Sequence, residues 1–269
     1  MRGQIKEQLL PRVKDAFYPF GTVVGILLLW QMTVSVLSVP DYVLPSPTVT
    51  VREFIRLFGL LLSHGLVTTY ETILGLILAV VFAVSIAVAM VWSTAVEKTV
   101  MPLLVFFHTT PKIAIAPLFI VWFGFGYTPK IIISFWLAYF PIAIATITGL
   151  RNIAPEMIDL AKSMSSTTLQ IFIKIRIPNS LPSFFSGLKL GSIVALLGAI
   201  VGEYVGSDAG LGYLITMANF NNDVKLLFSV VIFLTILGRL IYYVVCLIER
   251  HAISWHVVVR EEEQRIFVA

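Results

Sequence analysis

The stretch "EMIDLAKSMSSTTLQIFIKIRIPNSLP", residues 156–182, is a polar segment in a chain that is otherwise strongly apolar. Of the 269 residues, 58% are hydrophobic and only 13% are charged, and the mean hydropathy is +0.93. A soluble domain of this size carries a more polar surface, so the composition predicts an all-α, polytopic membrane protein. The net charge of +4 is spread between apolar runs and forms no basic patch, which argues against a nucleic acid partner.

Six apolar segments are long enough to cross a bilayer as helices, which takes about 20 residues each. They are residues 19–38, 66–92, 99–123, 130–150, 184–206 and 226–248. An even number of spans places both termini on one side, and the loop cations on that side outnumber the others by twelve to four. The sequence therefore predicts three parts, with both ends cytoplasmic: segment 1–18, a six-span domain 19–248 and a tail 249–269.

The polar stretch belongs to a cytoplasmic loop, residues 152–182, whose periodicity predicts two short amphipathic helices joined by a turn. One apolar face of the first helix comprises Met157, Leu160, Ala161 and Met164. Pro178 is expected to end the second helix, because proline lacks the N–H that the helix needs. The residues alone leave two interpretations open, a linker on the membrane surface or a docking element for a soluble partner.

The same stretch resembles the coupling loop of permease subunits of bacterial ATP-binding-cassette (ABC) importers. That signature is Glu-Ala-Ala, a glycine four residues later, and an aliphatic residue before proline; here it falls on Asp159-Leu160-Ala161, Ser165 and Ile177-Pro178. Five ordered blocks from residue 43 to the sixth span, among them "TTPKIAIAPLFIVWFGFGYTPK" and "GEYVGSDAGLGYLI", resemble the branch that handles nitrate, taurine, sulfonates and pyrimidine-type precursors. Because Ser165 replaces the glycine, the turn must use another conformation or absorb strain.

The resemblance implies a type I importer permease fold, with six transmembrane helices and a cytoplasmic coupling helix pair, in the bacterial inner membrane. It also implies three partners besides membrane lipid: a pair of ATPase subunits, a periplasmic or lipid-anchored substrate-binding protein, and a second permease copy, most simply in a homodimer. The residues expected to dock the ATPase are Met157, Asp159, Leu160, Ala161, Met164, Ser165, Ile177 and Pro178. The chain has no G-x-x-x-x-G-K-[ST] phosphate loop, so we expect no cofactor and no enzymatic activity in it, with ATP and Mg bound by the partner ATPase.

The third predicted span contains polar side chains next to two prolines, Pro111 and Pro117. Backbone groups that lose their helical hydrogen bonds are tolerated at membrane depth only beside protein or a water-filled cavity. This pattern favours a translocation pathway beside the span, with simple kinked packing as the alternative. The pathway candidates here are His108, Thr109, Thr110 and Lys112; no metal-site spacing surrounds His108.

Two acidic residues near the outer ends of spans, Glu71 and Glu203, are further pathway candidates, because an ionisable group in hydrocarbon is costly. The alternative for each is an interfacial carboxylate that reaches water. A carboxylate near an outer entrance disfavours small anions, so Glu71 tilts the expected substrate towards a neutral, cationic or heteroaromatic nutrient.

Small residues recur along the fifth span and predict close approach of neighbouring helices. The glycines assigned to helix packing are Gly187, Gly191, Gly198 and Gly202. In the family that the chain resembles, the corresponding helix lines the pathway; ordinary packing is the alternative.

Two other classes of function compete with the importer. A secondary transporter driven by an ion gradient would show internal repeats with paired broken helices, and only the third span is clearly interrupted. An intramembrane enzyme would need a motif such as H-E-x-x-H or G-x-S-x-G, and neither occurs. The sequence therefore favours the permease.

Overall fold

A computed structural model describes residues 21–253, and every regular element in that range is helical. The predicted cytoplasmic segment 1–18 and most of the tail, from residue 254 on, lie outside the described residues. The helices are α1 (Gly21–Val36), α2 (Pro47–Arg56), α3 (Phe58–Trp92), α4 (Thr94–Thr109), α5 (Lys112–Phe123), α6 (Tyr127–Arg151), α7 (Pro155–Ser163), α8 (Thr168–Ile171), α9 (Ile177–Val205), α10 (Leu211–Phe220) and α11 (Val224–Ala252), with a π-helical turn (Phe172–Arg176) between α8 and α9.

The described residues form two compact units, and the smaller one contains residues 21–58 and 218–229. In it, the Trp30 and Phe228 rings lie 5.7 Å apart, and Lys225 Nζ lies 2.8 Å from an Asp41 carboxylate oxygen. The Ser46 hydroxyl caps α2 by accepting a hydrogen bond from the Val49 amide, and Pro47 occupies the first turn. Helix α2 leaves Val51 and Ile55 exposed, as expected of an amphipathic helix.

Of the described residues, the larger unit contains 59–217 and 230–253. Within the described range, four helical segments are long and apolar enough to cross a membrane: Phe58–Trp92, Tyr127–Arg151, Thr168–Val205 and Val224–Ala252. Helices α4 and α5 together make a fifth if the bent pair counts as one span. The first predicted span, 19–38, contains the shorter apolar helix Gly21–Val36.

The third predicted span, 99–123, consists of two helices that meet at an angle of 94°. The break falls at residues 110–111, where Thr110 has extended backbone angles (φ −64°, ψ 132°). A residue before proline is pushed out of the helical region, and Pro111 itself cannot donate the next helical hydrogen bond. Pro117, in contrast, lies within α5 and does not interrupt it. Only one of the two prolines therefore creates the bend.

The core of the larger unit forms where α9 packs along α6, and the four glycines assigned to packing all face α6. A Cβ on Gly198 would lie 2.6 Å from the Ser134 Cα, and one on Gly202 would lie 2.9 Å from the Lys130 Cα. A Cβ on Gly187 would lie 2.9 Å from the Pro141 carbonyl oxygen, and one on Gly191 would lie 2.7 Å from the Ile142 side chain. Only glycine permits backbones to approach this closely.

Candidate functional site

Helix α7 presents an apolar face to solvent at the end of a helical hairpin. The exposed fractions of Met157, Leu160 and Met164 are 50%, 65% and 74%, whereas Ala161 is buried. Asp159 lies towards the opposite side of α7, where Lys162 Nζ is 3.9 Å from its carboxylate. The docking residues predicted on α7 are thus divided between an exposed apolar face, one buried alanine and one solvated acid. An apolar face of this kind is suited to contact with a protein surface.

The turn after α7 places Ser165 in the left-handed region, with φ 57°. The Ser166 amide donates to the Ala161 carbonyl at 3.1 Å, and the Ser165 amide donates to that of Lys162 at 2.9 Å. These two bonds define a Schellman motif, which normally has glycine at the left-handed position. Of the two alternatives open from the sequence, the serine therefore keeps the glycine-like conformation and absorbs the strain.

The second helix of the hairpin does not end at Pro178, and that prediction was wrong. Residues Thr168–Val205 form one helical segment that includes the π-helical turn Phe172–Arg176 just before Ile177 and Pro178. Proline is tolerated there because it falls in the first turn of α9, where the missing N–H has little effect. Thr167 and Gln170 form a capping box at the start of this segment.

The base of the hairpin is fixed to the end of α6. The Arg176 guanidinium donates to the Leu150 carbonyl at 2.9 Å, and the Asn179 amide donates to the Asn152 carbonyl at 2.9 Å. Near the same end of α6, Arg151 pairs with Glu97 at 2.5 Å. These contacts hold the hairpin against the helical bundle.

A second feature is an open groove of about 760 Å³ between the α4–α5 break, α6 and α9. Three of the predicted pathway residues, His108, Thr110 and Lys112, line it, whereas Thr109 lies beside them without lining it. The imidazole of His108 stacks on Phe140, with ring centroids 3.6 Å apart and planes within 10°. Phe140 was not identified from the sequence, since nothing local marks it as a partner of His108.

The other two pathway candidates, Glu71 and Glu203, lie elsewhere, in a buried polar cluster. The Glu71 carboxylate is 3.1 Å from Lys130 Nζ, and both side chains are almost fully buried. Glu203 accepts hydrogen bonds from the Thr68 hydroxyl at 2.7 Å and from the Gly212 amide at 2.6 Å. Neither residue lines the groove, and the Glu71 carboxylate is buried beside a cation and not exposed at an entrance, which removes the basis for an anion-repelling role.

An ion pair joins the middle of α9 to the C-terminal end of α11. Lys189 Nζ lies 2.5 Å from a carboxylate oxygen of Glu249, whose side chain is 3% exposed. The sequence placed Glu249 in the tail, but α11 continues to Ala252. The pair was not recognised because the two residues are far apart in the chain.

Several long apolar helices, a broken span beside a groove and an exposed amphipathic hairpin together define a polytopic membrane transport protein. Comparison with known proteins identifies the family. The family described as "Binding-protein-dependent transport system inner membrane component" matches residues 72–253, and the chain belongs to it. It is the permease subunit of an ABC importer and a multi-pass inner-membrane protein.

The relatives agree with this assignment over most of the chain. A Haemophilus influenzae protein described as "Probable ABC transporter permease protein" is 39% identical, covering 82% of this chain and 91% of that protein. The formylaminopyrimidine transport permease ThiX of Halalkalibacterium halodurans is 33% identical, covering 91% and 98%. A solved chain of the MetNI methionine ABC transporter shares the fold, with a TM-score of 0.62 at 22% identity over 71% of this chain and 95% of that one.

Proposed function

We propose that α7 is the element through which this permease binds its ATPase, with Met157, Leu160 and Met164 as the contact. The observation that carries the proposal is the exposure of these three apolar side chains on a hairpin whose second arm is hydrogen-bonded to the end of α6. Burying an exposed apolar surface contributes about 25 cal/mol per Å², so a soluble partner gains affinity by covering this face. ATP hydrolysis is assigned to that partner, which binds ATP and Mg.

The proposal extends to the assembly and its orientation. Two copies of the chain form the translocation pathway, an ATPase pair binds on the cytoplasmic side, and a binding protein delivers a small nutrient from outside. The excess of loop cations on the side of α7 supports a cytoplasmic hairpin and cytoplasmic termini. Ser165, Ile177 and Pro178 position the docking face, since they occupy the turn and the base of the hairpin.

The experiment is co-purification of the ATPase with the tagged permease from its host, comparing Leu160→Glu with a matched control. Leu160→Glu places a charge in the centre of the docking face and is expected to reduce the recovered ATPase at least about tenfold, because the buried charge has no partner. Lys162→Gln changes the net charge by the same amount on the opposite side of α7, and should retain the ATPase.

Equal recovery of the ATPase with Leu160→Glu and Lys162→Gln would contradict the assignment of the docking face to α7. Absence of any ATPase from the wild-type complex would contradict the proposed assembly as a whole. Size-exclusion chromatography of both variants verifies that the membrane domain is folded.

A further inference from the structure

We infer that the groove beside the α4–α5 break is a substrate subsite for a flat heteroaromatic ring that carries hydrogen-bond acceptors. The inference rests on the proposed function, because it assumes that the substrate passes this groove during import. The groove is formed by residues of one copy of the chain, from α4, α5, α6 and α9.

The size and walls of the groove suit a small aromatic molecule. Its volume of about 760 Å³ lies in the range typical of ligand sites, roughly 300–1,000 Å³. Most of the wall is apolar, and its apolar side chains include Leu137, Phe140, Ile144, Leu190 and Val194. An apolar wall with an aromatic ring favours a ligand that is itself a ring over a hydrated inorganic ion.

The polar groups at the α4–α5 break limit the ligand further by their chemistry. Lys112 Nζ is 3.1 Å from the carbonyl oxygen of His108 and 3.2 Å from its Nδ1. An ammonium has three N–H donors, so these two contacts leave one that can be donated to a ligand. None of the residues that line the groove, all within residues 108–194, is acidic. The groove therefore disfavours cations and favours a ring with acceptor atoms.

Two hydroxyl groups in the groove, those of Thr110 and Ser186, add hydrogen-bond acceptors to the Lys112 donor. The Thr110 hydroxyl donates to the Phe106 carbonyl at 2.8 Å, and the Ser186 hydroxyl donates to the Pro182 carbonyl at 3.0 Å. Because their hydrogens are used within the helices, both oxygens remain available as acceptors for a ring amine. A sulfonate spreads its single negative charge over three acceptor oxygens, and it would find one ammonium donor beside a mainly apolar wall. The groove is thus better matched to a nitrogen heterocycle than to a sulfonate.

Two relatives transport molecules of this class. ThiX, 33% identical, is a formylaminopyrimidine transport permease, and RibX of Chloroflexus aurantiacus, 31% identical, is a riboflavin transport permease. The taurine permease TauC of Escherichia coli is less similar, at 22% identity. The aliphatic sulfonate permease SsuC of Bacillus subtilis is also 31% identical, so the choice of ligand class rests on the groove and not on the relatives.

The test measures binding to the permease–ATPase complex purified in lipid nanodiscs without the binding protein. The probes are radiolabelled formylaminopyrimidine, riboflavin followed by its fluorescence, and radiolabelled taurine. We expect saturable binding of at least one aromatic probe and none of taurine. Phe140→Leu and Lys112→Met should each weaken that binding by about threefold to tenfold, the effect of losing one aromatic or polar contact. Phe140→Tyr, which keeps the ring, should retain it.

Lys98→Met is the matched control, because Lys98 is an exposed lysine of α4 at the other end of the helix and should bind the probes like wild type. Binding of taurine in preference to both aromatic probes would overturn the ligand class. Failure of both aromatic probes to bind, or equal binding by all variants, would overturn the subsite. In either case, an ATPase that still co-purifies leaves the proposed function intact, whereas its absence overturns the proposed function.

Discussion

Replacement of Ser165 by glycine should stabilise the hairpin that carries the docking face. Ser165 is held at φ 57° by the two hydrogen bonds that end α7, Ser166 to Ala161 and Ser165 to Lys162. Glycine can adopt this conformation without a clash between Cβ and the backbone, so the same two bonds form without strain.

The magnitude follows from two opposing effects. The left-handed conformation costs an L-residue roughly 1–2 kcal/mol, which glycine avoids. Glycine has more conformational freedom to lose on folding, which costs about 0.5–1 kcal/mol. The net stabilisation of the turn is about 0.5–1 kcal/mol, equivalent to a twofold to fivefold change in the opening equilibrium, by roughly 1.4 kcal/mol per factor of ten.

Amide hydrogen exchange of the permease in lipid measures this equilibrium directly. The amide of Met164 donates to the Leu160 carbonyl at the end of α7, and that of Ser166 donates to the Ala161 carbonyl across the turn. Both amides should exchange about twofold to fivefold more slowly in Ser165→Gly. Ser166→Gly is the matched control: Ser166 does not have positive φ, so glycine there adds freedom without relieving strain, and exchange should become faster. Equal exchange rates in the two variants would refute the argument that strain at Ser165 limits the stability of the turn.

Two further predictions concern the membrane domain, both measured by thermal denaturation in the same lipid. Lys130→Met leaves the buried Glu71 carboxylate without its partner and should destabilise the protein by about 3–5 kcal/mol. The double variant Lys130→Met with Glu71→Leu should recover most of this loss, and a double variant as unstable as the single one would contradict the prediction. Gly198→Ala places a Cβ 2.6 Å from the Ser134 Cα and should lower the stability of the protein by about 1–3 kcal/mol. Gly59→Ala, whose Cβ would have no atom within 4 Å, should cause no loss of stability. Equal melting temperatures of the two variants would contradict tight packing between α9 and α6.

Local patterns in the sequence predicted local structure well. Met157, Leu160 and the C-cap residue Met164 follow the 3.6-residue spacing of α7, so this apolar face could be predicted without any tertiary information. The same holds for the break at Pro111, which depends only on the proline and the residue before it. Pro178 was misinterpreted because the local pattern does not show the contacts with the end of α6 that stabilise the helix on both sides of it.

Contacts between distant residues could not be predicted from a single sequence. Lys130 was placed at the start of the predicted span 130–150, yet it is buried beside Glu71, a residue of another helix. His108 belongs to α4 and Phe140 to α6. Nothing in the local sequence of either helix predicted that the imidazole stacks on the phenyl ring, next to the 94° bend that follows α4. The spacing of the glycines predicted a close helix contact, but not that α6 is the helix that all four approach.

The hairpin and the groove are connected by one continuous helical segment. Residues Thr168–Val205 form one helical segment, so the second helix of the hairpin and the α9 wall of the groove, near Ser186 and Leu190, belong to a single element. Its glycines pack against α6 so closely that neither helix can move towards the other. If α7 binds the ATPase as proposed, a force on it reaches α9 through this segment, and the close packing leaves sliding or rotation along α6 as the available movement. The π-helical turn Phe172–Arg176 lies near the start of this segment. Its hydrogen-bonding pattern departs from that of the α-helix, and helices bend most readily at such turns.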